Sequence, residues 1–231
     1  MARDNKASQV YDTLRDEILR GVLRPGESLS VLKIADRFSA SRTPVRDAFV
    51  RLQSDGLVSL IDRQGARVSS ISITSVRELF EMRILLEGAA TRQVAEGART
   101  DDGIRRIFGD LRDQFARVTH DESAPADSDR FYELTEAYDQ AIIAHAANSY
   151  LSRTIAELRP HSARLRIIAH SPERLAQSRD EHLSLCRAII EAEPDTAAAA
   201  CIQHLRLTEE TILAAVMKPT GLAVLVDLVS I

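Results

Sequence analysis

Arg42, Thr43 and Arg46 stand together in the stretch SRTPVRDAF. At helical spacing, positions 42 and 46 lie one turn apart, and the apolar residues Val45, Ala48, Phe49 and Leu52 form a stripe on the other side. A guanidinium held on such a rod can bridge the two major-groove acceptors of guanine, and a threonine hydroxyl can bind a phosphate or a base edge. Arg51, Arg63 and Arg67 follow at positions suited to backbone phosphates, and Gly65 between the last two lets the chain approach a duplex closely. A second group comes later. Arg83 and Glu87 are one turn apart on a face otherwise made of Val76, Leu79, Phe80, Ala90 and Val94. Charges on a buried face must be paired or bound to something, so this pair either neutralises itself or holds a ligand.

The elements that would carry these residues follow from the pattern. Residues 8–21 put Val10, Leu14 and Ile18 on one helical face and close at Gly21. A Pro-Gly turn follows, then a second helix that Ser30 is placed to cap, with Leu32, Ala35 and Phe38 inward. The third helix begins at Ser41, has Pro44 in its first turn and ends at Gly56. From Leu57 the period changes: Val58, Leu60 and Ile61, then Val68 and Ile71, flank the polar turn 62–65 and predict a two-stranded hairpin. Helix, helix, turn, helix and hairpin within about 70 residues is the layout of a winged helix-turn-helix, whose third helix fits the major groove.

Beyond Ile73 the pattern stays helical, with breaks near 98–102, 122–128, Ser149, Ser171-Pro172 and Glu193-Pro194, which leaves room for about six long helices. The fold class expected is therefore mainly α: a winged head over residues 1–72 and an antiparallel all-helical bundle over residues 73–231. The apolar tail after Lys218-Pro219 is expected to pack on the bundle or on a partner subunit.

Charge separates the two parts. The net charge is -4, yet residues 1–70 hold 12 Lys/Arg against 9 Asp/Glu while the remainder holds 18 against 25, that is +3 and -7. Cys186 and Cys201 sit inside helical stretches and suit buried thiols in a reducing cytoplasm, not a disulfide framework. The charged N-terminus does not suit a signal peptide, and no stretch approaches the roughly 20 apolar residues of a membrane span. A soluble, cytoplasmic protein is expected.

The stretch SASRTPVRDAFVRLQSDGLVSLIDRQGARV resembles the signature of GntR-type regulators: a Ser-Arg-Thr-Pro-Val-Arg turn, a Leu-x-x-x-Gly-Leu segment and an Arg/Gly wing. The resemblance implies that Arg42, Thr43 and Arg46 contact operator DNA, with Gly65 at the wing. Two departures stand out. Ser39-Ala40 replaces the usual Gly-Val before the motif, and Leu32 stands where a relative offers an arginine to DNA, which leaves Lys33 as a substitute contact. The segment Arg83-x-x-x-Glu87 followed by Gly-Ala-Ala resembles the first helix of the FCD-type helical effector domain of the fatty-acid-type branch of that family, a likeness that covers most of residues 74–217. The usual ligands of that domain are small organic acids. Many members of the branch also hold a divalent metal through an aspartate, a histidine one turn later and two further histidines. Asp139, His182 and His204 match three of these ligands, and Ile143 takes the place of the fourth. His145 is rotated away from that position by roughly 200° of helix, and His161 is a looser substitute. An Asp and two His can still form an open site for zinc, nickel or manganese. Without a metal, Asp139 requires a partner such as Arg83 or Arg164.

The sequence thus predicts a homodimeric DNA-binding regulator, a repressor of a near-palindromic operator, controlled by a small carboxylate effector near Arg83, Glu87, Asp139 and Arg164. It predicts no enzyme. Two rivals share the residue pattern: a metal-assisted hydrolase in the bundle, and a protein adaptor built on the winged head.

Overall fold

The computed structural model of the 231-residue chain describes residues 2–62, 64–70, 72–118, 125–163, 165 and 171–217. Arg63, Arg164 and the apolar tail lie outside the described residues. The chain divides into two compact units, the first drawn mainly from residues up to Val76 and the second from Arg77–Leu158 and Ala169–Ile212.

In the first unit, α1 (Ala2–Leu19), β1 (Ser28–Ser30), α2 (Val31–Arg37), α3 (Arg42–Ser54), β2 (Val58–Ile61) and β3 (Gly65–Val68) follow in chain order. The expected apolar faces of α1 and α3 meet in one core: Val10, Leu14 and Ile18 against Val45, Ala48, Phe49 and Leu52, with Leu29, Leu57, Val58 and Val68 closing it. On α2 the expected face is rotated: Leu32, expected inward, is exposed, Ile34 and Ala35 are the buried residues, and Phe38 packs at the edge of the core. Phe49 and Leu52 are fully buried and fix the rotation of α3, so the opposite side of that helix faces out.

The wing is larger than the sequence predicts. Its sheet has three antiparallel strands in the order β1-β3-β2, with Leu29 opposite Ala66 and Leu60 opposite Ala66 from the other edge. Gly65 adopts φ +137, and a Cβ there would collide with the carbonyl oxygen of Leu29. The close approach of β1 therefore accounts for this glycine from within the head. Ser30 and Ser41 occupy the caps of α2 and α3 with extended backbone, but neither hydroxyl makes a capping bond. In the turn between these helices, Ser39 is left-handed at φ 47, the conformation for which the usual glycine is suited.

The second unit is helical: α4 (Ile73–Gly97), which begins in the first unit, then α5 (Asp102–Phe115), α6 (Pro125–His145), α7 (Ser149–Ala163), α8 (Pro172–Ile190) and α9 (Pro194–Val216). The end of α7, from Arg159, groups with the first unit. Helix starts are set by local chemistry. The Asp101 carboxylate accepts from Gly103 N at 2.7 Å, Ser171 Oγ accepts from Arg174 N at 3.2 Å, and prolines open α6, α8 and α9. Helix α5 packs against α6 and α8 through Ile104, Phe108, Leu111 and Phe115, all buried. A Cβ at Gly88 of α4 would lie 3.1 Å from Ile202 Cγ1, so α4 and α9 run close together there. The described residues hold nine helices and three short strands, the mainly α class that the sequence predicts. None of these helices is long and apolar enough to cross a membrane.

Candidate nucleic-acid interface and bundle cluster

Arg42 is the first residue of α3, and Thr43, Arg46 and Val50 follow it on the outward side while Pro44, Val45, Ala48, Phe49 and Leu52 point inward. Arg42, Thr43 and Arg46 are exposed. Among the described residues neither guanidinium has a hydrogen bond or an ion pair. Arg51, Arg67 and Arg37 of the head are engaged. Arg51 lies 3.9 Å from the centre of the Tyr11 ring and donates to Ser8 Oγ at 3.3 Å, and Tyr11 in turn donates to the Asp55 carboxylate. Arg67 donates to the Gly26 carbonyl at 3.1 Å, and Arg37 grips Glu17. Lys33 is exposed on α2. Arg42 and Arg46 line a cavity of about 510 Å³ with Gln64 and Gly65 of the wing and the first residues of α2.

In the bundle the buried arginines Arg83 and Arg174 are paired. Arg83 donates to Glu87 through Nε at 2.7 Å and through Nη2 at 3.2 Å. Burial works against the Arg83 charge, but Glu87 and then Asp139 outweigh it, and its pKa rises above the ordinary value. Asp139 also acts electrostatically on Tyr138 and His182, so Arg83, Glu87, Asp139 and His182 share one neighbourhood. His182 is buried. Its Nδ1 lies 2.7 Å from the Ser178 carbonyl, which fixes Nδ1 as the protonated nitrogen. Burial and the neighbouring His204 push its pKa down to about 3, against the Ser178 carbonyl, Asp139 and Glu181. Its ring stacks on Phe115 at 4.9 Å and meets Tyr138 edge-on at 5.3 Å and His204 at 4.7 Å.

The sequence offered no role for Arg174, Glu181 or Tyr138. Arg174 is buried and donates to both Glu181 oxygens, at 2.8 and 2.9 Å, and to Thr208 Oγ1 at 2.7 Å. Glu181 Oε2 also lies 2.5 Å from His204 Nδ1, which ties α8 to α9. Burial raises the Glu181 pKa, but His204 and Arg174 outweigh it and hold the carboxyl below its ordinary value. The Tyr138 hydroxyl is buried with no hydrogen-bond partner among the described residues, and burial drives its pKa well up. The available signals were the two-turn spacing of Arg174 and Glu181 on α8 and the acid directly before His182. Cys186 and Cys201 are buried thiols with pKa values pushed up to about 12 by burial, as inert core residues should have.

Among the described residues, Asp139, His182 and His204 are not gathered into a metal-holding set. Among the described residues no group of three or more His, Cys, Asp or Glu side chains is arranged to hold an ion. Two imidazoles come together, but the residue one turn after Asp139 is the aliphatic Ile143, which donates nothing. His161 sits in the part of α7 that groups with the first unit. As placed in the described residues, the donors are not arranged around a common point for an ion.

Comparison with known proteins agrees with this architecture. The family of bacterial regulatory proteins called gntR matches residues 6–68, and the FCD domain matches residues 78–207. The HTH-type transcriptional repressor RspR of Escherichia coli K12 is 28% identical over 208 residues, which covers 88% of this chain and 87% of that protein. Among solved structures, E. coli McbR/YncC has a TM-score of 0.73 at 19% identity over 90% of this chain and 97% of its own. A GntR transcriptional regulator from Rhodococcus sp. RHA1 has 0.72 at 20%, over 91% and 99%. Head and bundle are thus each accounted for by a known module in the same order along the chain, and the protein belongs to the GntR family of DNA-binding transcriptional regulators, with an FCD domain as its helical part.

Proposed function

We propose that this regulator is a cytoplasmic repressor that binds a near-palindromic operator as a homodimer, because two-fold symmetry in the protein requires two-fold symmetry in its site. Arg42 and Arg46 read guanine edges from the major groove and Thr43 reads a base edge or phosphate. Lys33, Arg63 and Arg67 contact the backbone beside the wing glycine Gly65, and Arg51 joins them only by leaving Tyr11. The observation that carries this reading is the uncommitted pair of guanidiniums one turn apart on the outward side of α3. Repression is supported by the name of the relative RspR. Binding of the full chain to a duplex selected from a random pool tests it: affinity should fall steeply as salt rises, with a log-log slope that reports the phosphates neutralised. A salt-independent association would exclude the reading.

A small carboxylate effector binds in the bundle near Arg83, Glu87 and Asp139, with Arg164 as a further contact, and the Tyr138 hydroxyl supplies a free donor beside them. To control DNA binding it must favour one arrangement of the heads over the other, since equal affinity for both shifts nothing. Purified protein screened with organic acids should gain thermal stability with at least one of them, by about 2.7 kcal/mol at one hundred times its dissociation constant. Binding that uses only the bundle's own side chains should keep that gain in the presence of a chelator, and its loss on chelation would show that a metal is required.

A further inference from the structure

Three large apolar side chains stand exposed around the cavity that Arg42 and Arg46 line: Leu32 at 54%, Val50 at 55% and Leu60 at 41%. A face that meets a polyanion is expected to be polar and cationic throughout, so apolar side chains beside two free guanidiniums require a reason. Val50 requires it most. It takes no part in the head's core, and an exposed β-branched residue in a helix interior brings α3 no local stability. Its position supplies the reason. Arg42, Arg46 and Val50 follow one another at intervals of four residues on one side of α3, so each is about 6 Å from the next along the helix axis. Base pairs stack about 3.4 Å apart, so with α3 laid along the major groove that rise carries Val50 about two base steps beyond the base that faces Arg46. In the major groove the apolar group that a base pair presents is the C5-methyl of thymine.

We propose that Val50, backed by Leu32 and Leu60, is a specificity-determining residue that selects a thymine through its 5-methyl group, about two base steps from the guanine read by Arg46. The inference rests on the reading that α3 meets operator DNA. It adds a methyl-sensitive position to the two guanidinium contacts, and it explains why Leu32 serves this head where a relative carries arginine.

The test uses the full chain and a duplex selected from a random pool, resynthesised with uracil in place of each thymine in turn. Uracil keeps the pairing and both groove acceptors and lacks only the methyl group. One position in each half-site should lose about fourfold in affinity, the worth of one buried methyl, while other positions stay within error. Val50→Ala should bind the thymine and uracil duplexes equally and keep the parent's salt dependence. The proposal is overturned if the parent binds every uracil duplex as tightly as the thymine duplex, if Val50→Ala still discriminates, or if the selected duplexes lack a thymine at that place. If Arg46→Ala instead binds as well as the parent, the reading of α3 itself has failed.

Discussion

In the head, Arg42 and Arg46 stand in solvent with no acidic partner among the described residues, whereas in the bundle Arg83 and Arg174 are withdrawn from water and each is held at two points by a glutamate. The same side chain is therefore put to two uses. Desolvating a guanidinium is costly, and only a well-aligned carboxylate offsets it, so Arg174 and Glu181 are fixed to each other and, through His204 and Thr208, to α9. A solvated guanidinium has incurred none of that cost and keeps its five donors for a phosphate or a guanine. Removing a bundle arginine should cost the fold, and removing Arg42 or Arg46 should cost the partner.

The largest expected effect lies in the bundle. Arg174→Met leaves Glu181 buried without its cation and should lower stability by about 3–5 kcal/mol in chemical denaturation, and adding Glu181→Gln should recover much of it. A loss below 1 kcal/mol would break the contrast between the two units. Acid should act on the same place. The folded His182 stays neutral down to about pH 3, while the unfolded imidazole takes up a proton near 6.5, so the unfolded state binds more protons between these values. Stability should fall as pH drops below 6.5, by about 2 kcal/mol from this residue by pH 5. The depressed Glu181 carboxyl adds in the same direction once the unfolded state starts to protonate near its ordinary pKa. His182→Leu should flatten the upper part of that profile, and a profile unchanged by it would remove His182 from the account. A smaller effect belongs to the head: Ser39→Gly relieves a left-handed serine and should raise stability by about 1 kcal/mol, read by thermal unfolding.

Much of this division was legible in the sequence where a local rule governs it. The breaks at Asp101, Ser149, Pro172 and Pro194 mark the helix ends because caps and prolines act within a few residues. Arg83 and Glu87 were legible as neighbours because i,i+4 side chains share a helix face, which left pairing or ligand binding open, and the structure pairs them. Strand β1 was not, since three residues with a single inward side chain, Leu29, leave no period to detect. Nor was the first part of α1, whose residues Ala2 to Lys6 carry no apolar stripe. The Arg174-Glu181-His204 chain escaped because it depends on α9 packing beside α8, which no spacing within one helix encodes. Gly65 was attributed to a close approach by DNA, and the structure adds the Leu29 carbonyl as an internal reason for it.

The central claim is that uncommitted guanidiniums on α3 read DNA, and Arg46→Ala tests it most directly. Fluorescence anisotropy of the full chain on its selected operator at physiological salt should show affinity falling by about 5- to 150-fold, the worth of a bidentate guanine contact, with the thermal midpoint unchanged. Binding as tight as that of the parent, or a loss matched by an equal loss of folding stability, would contradict it.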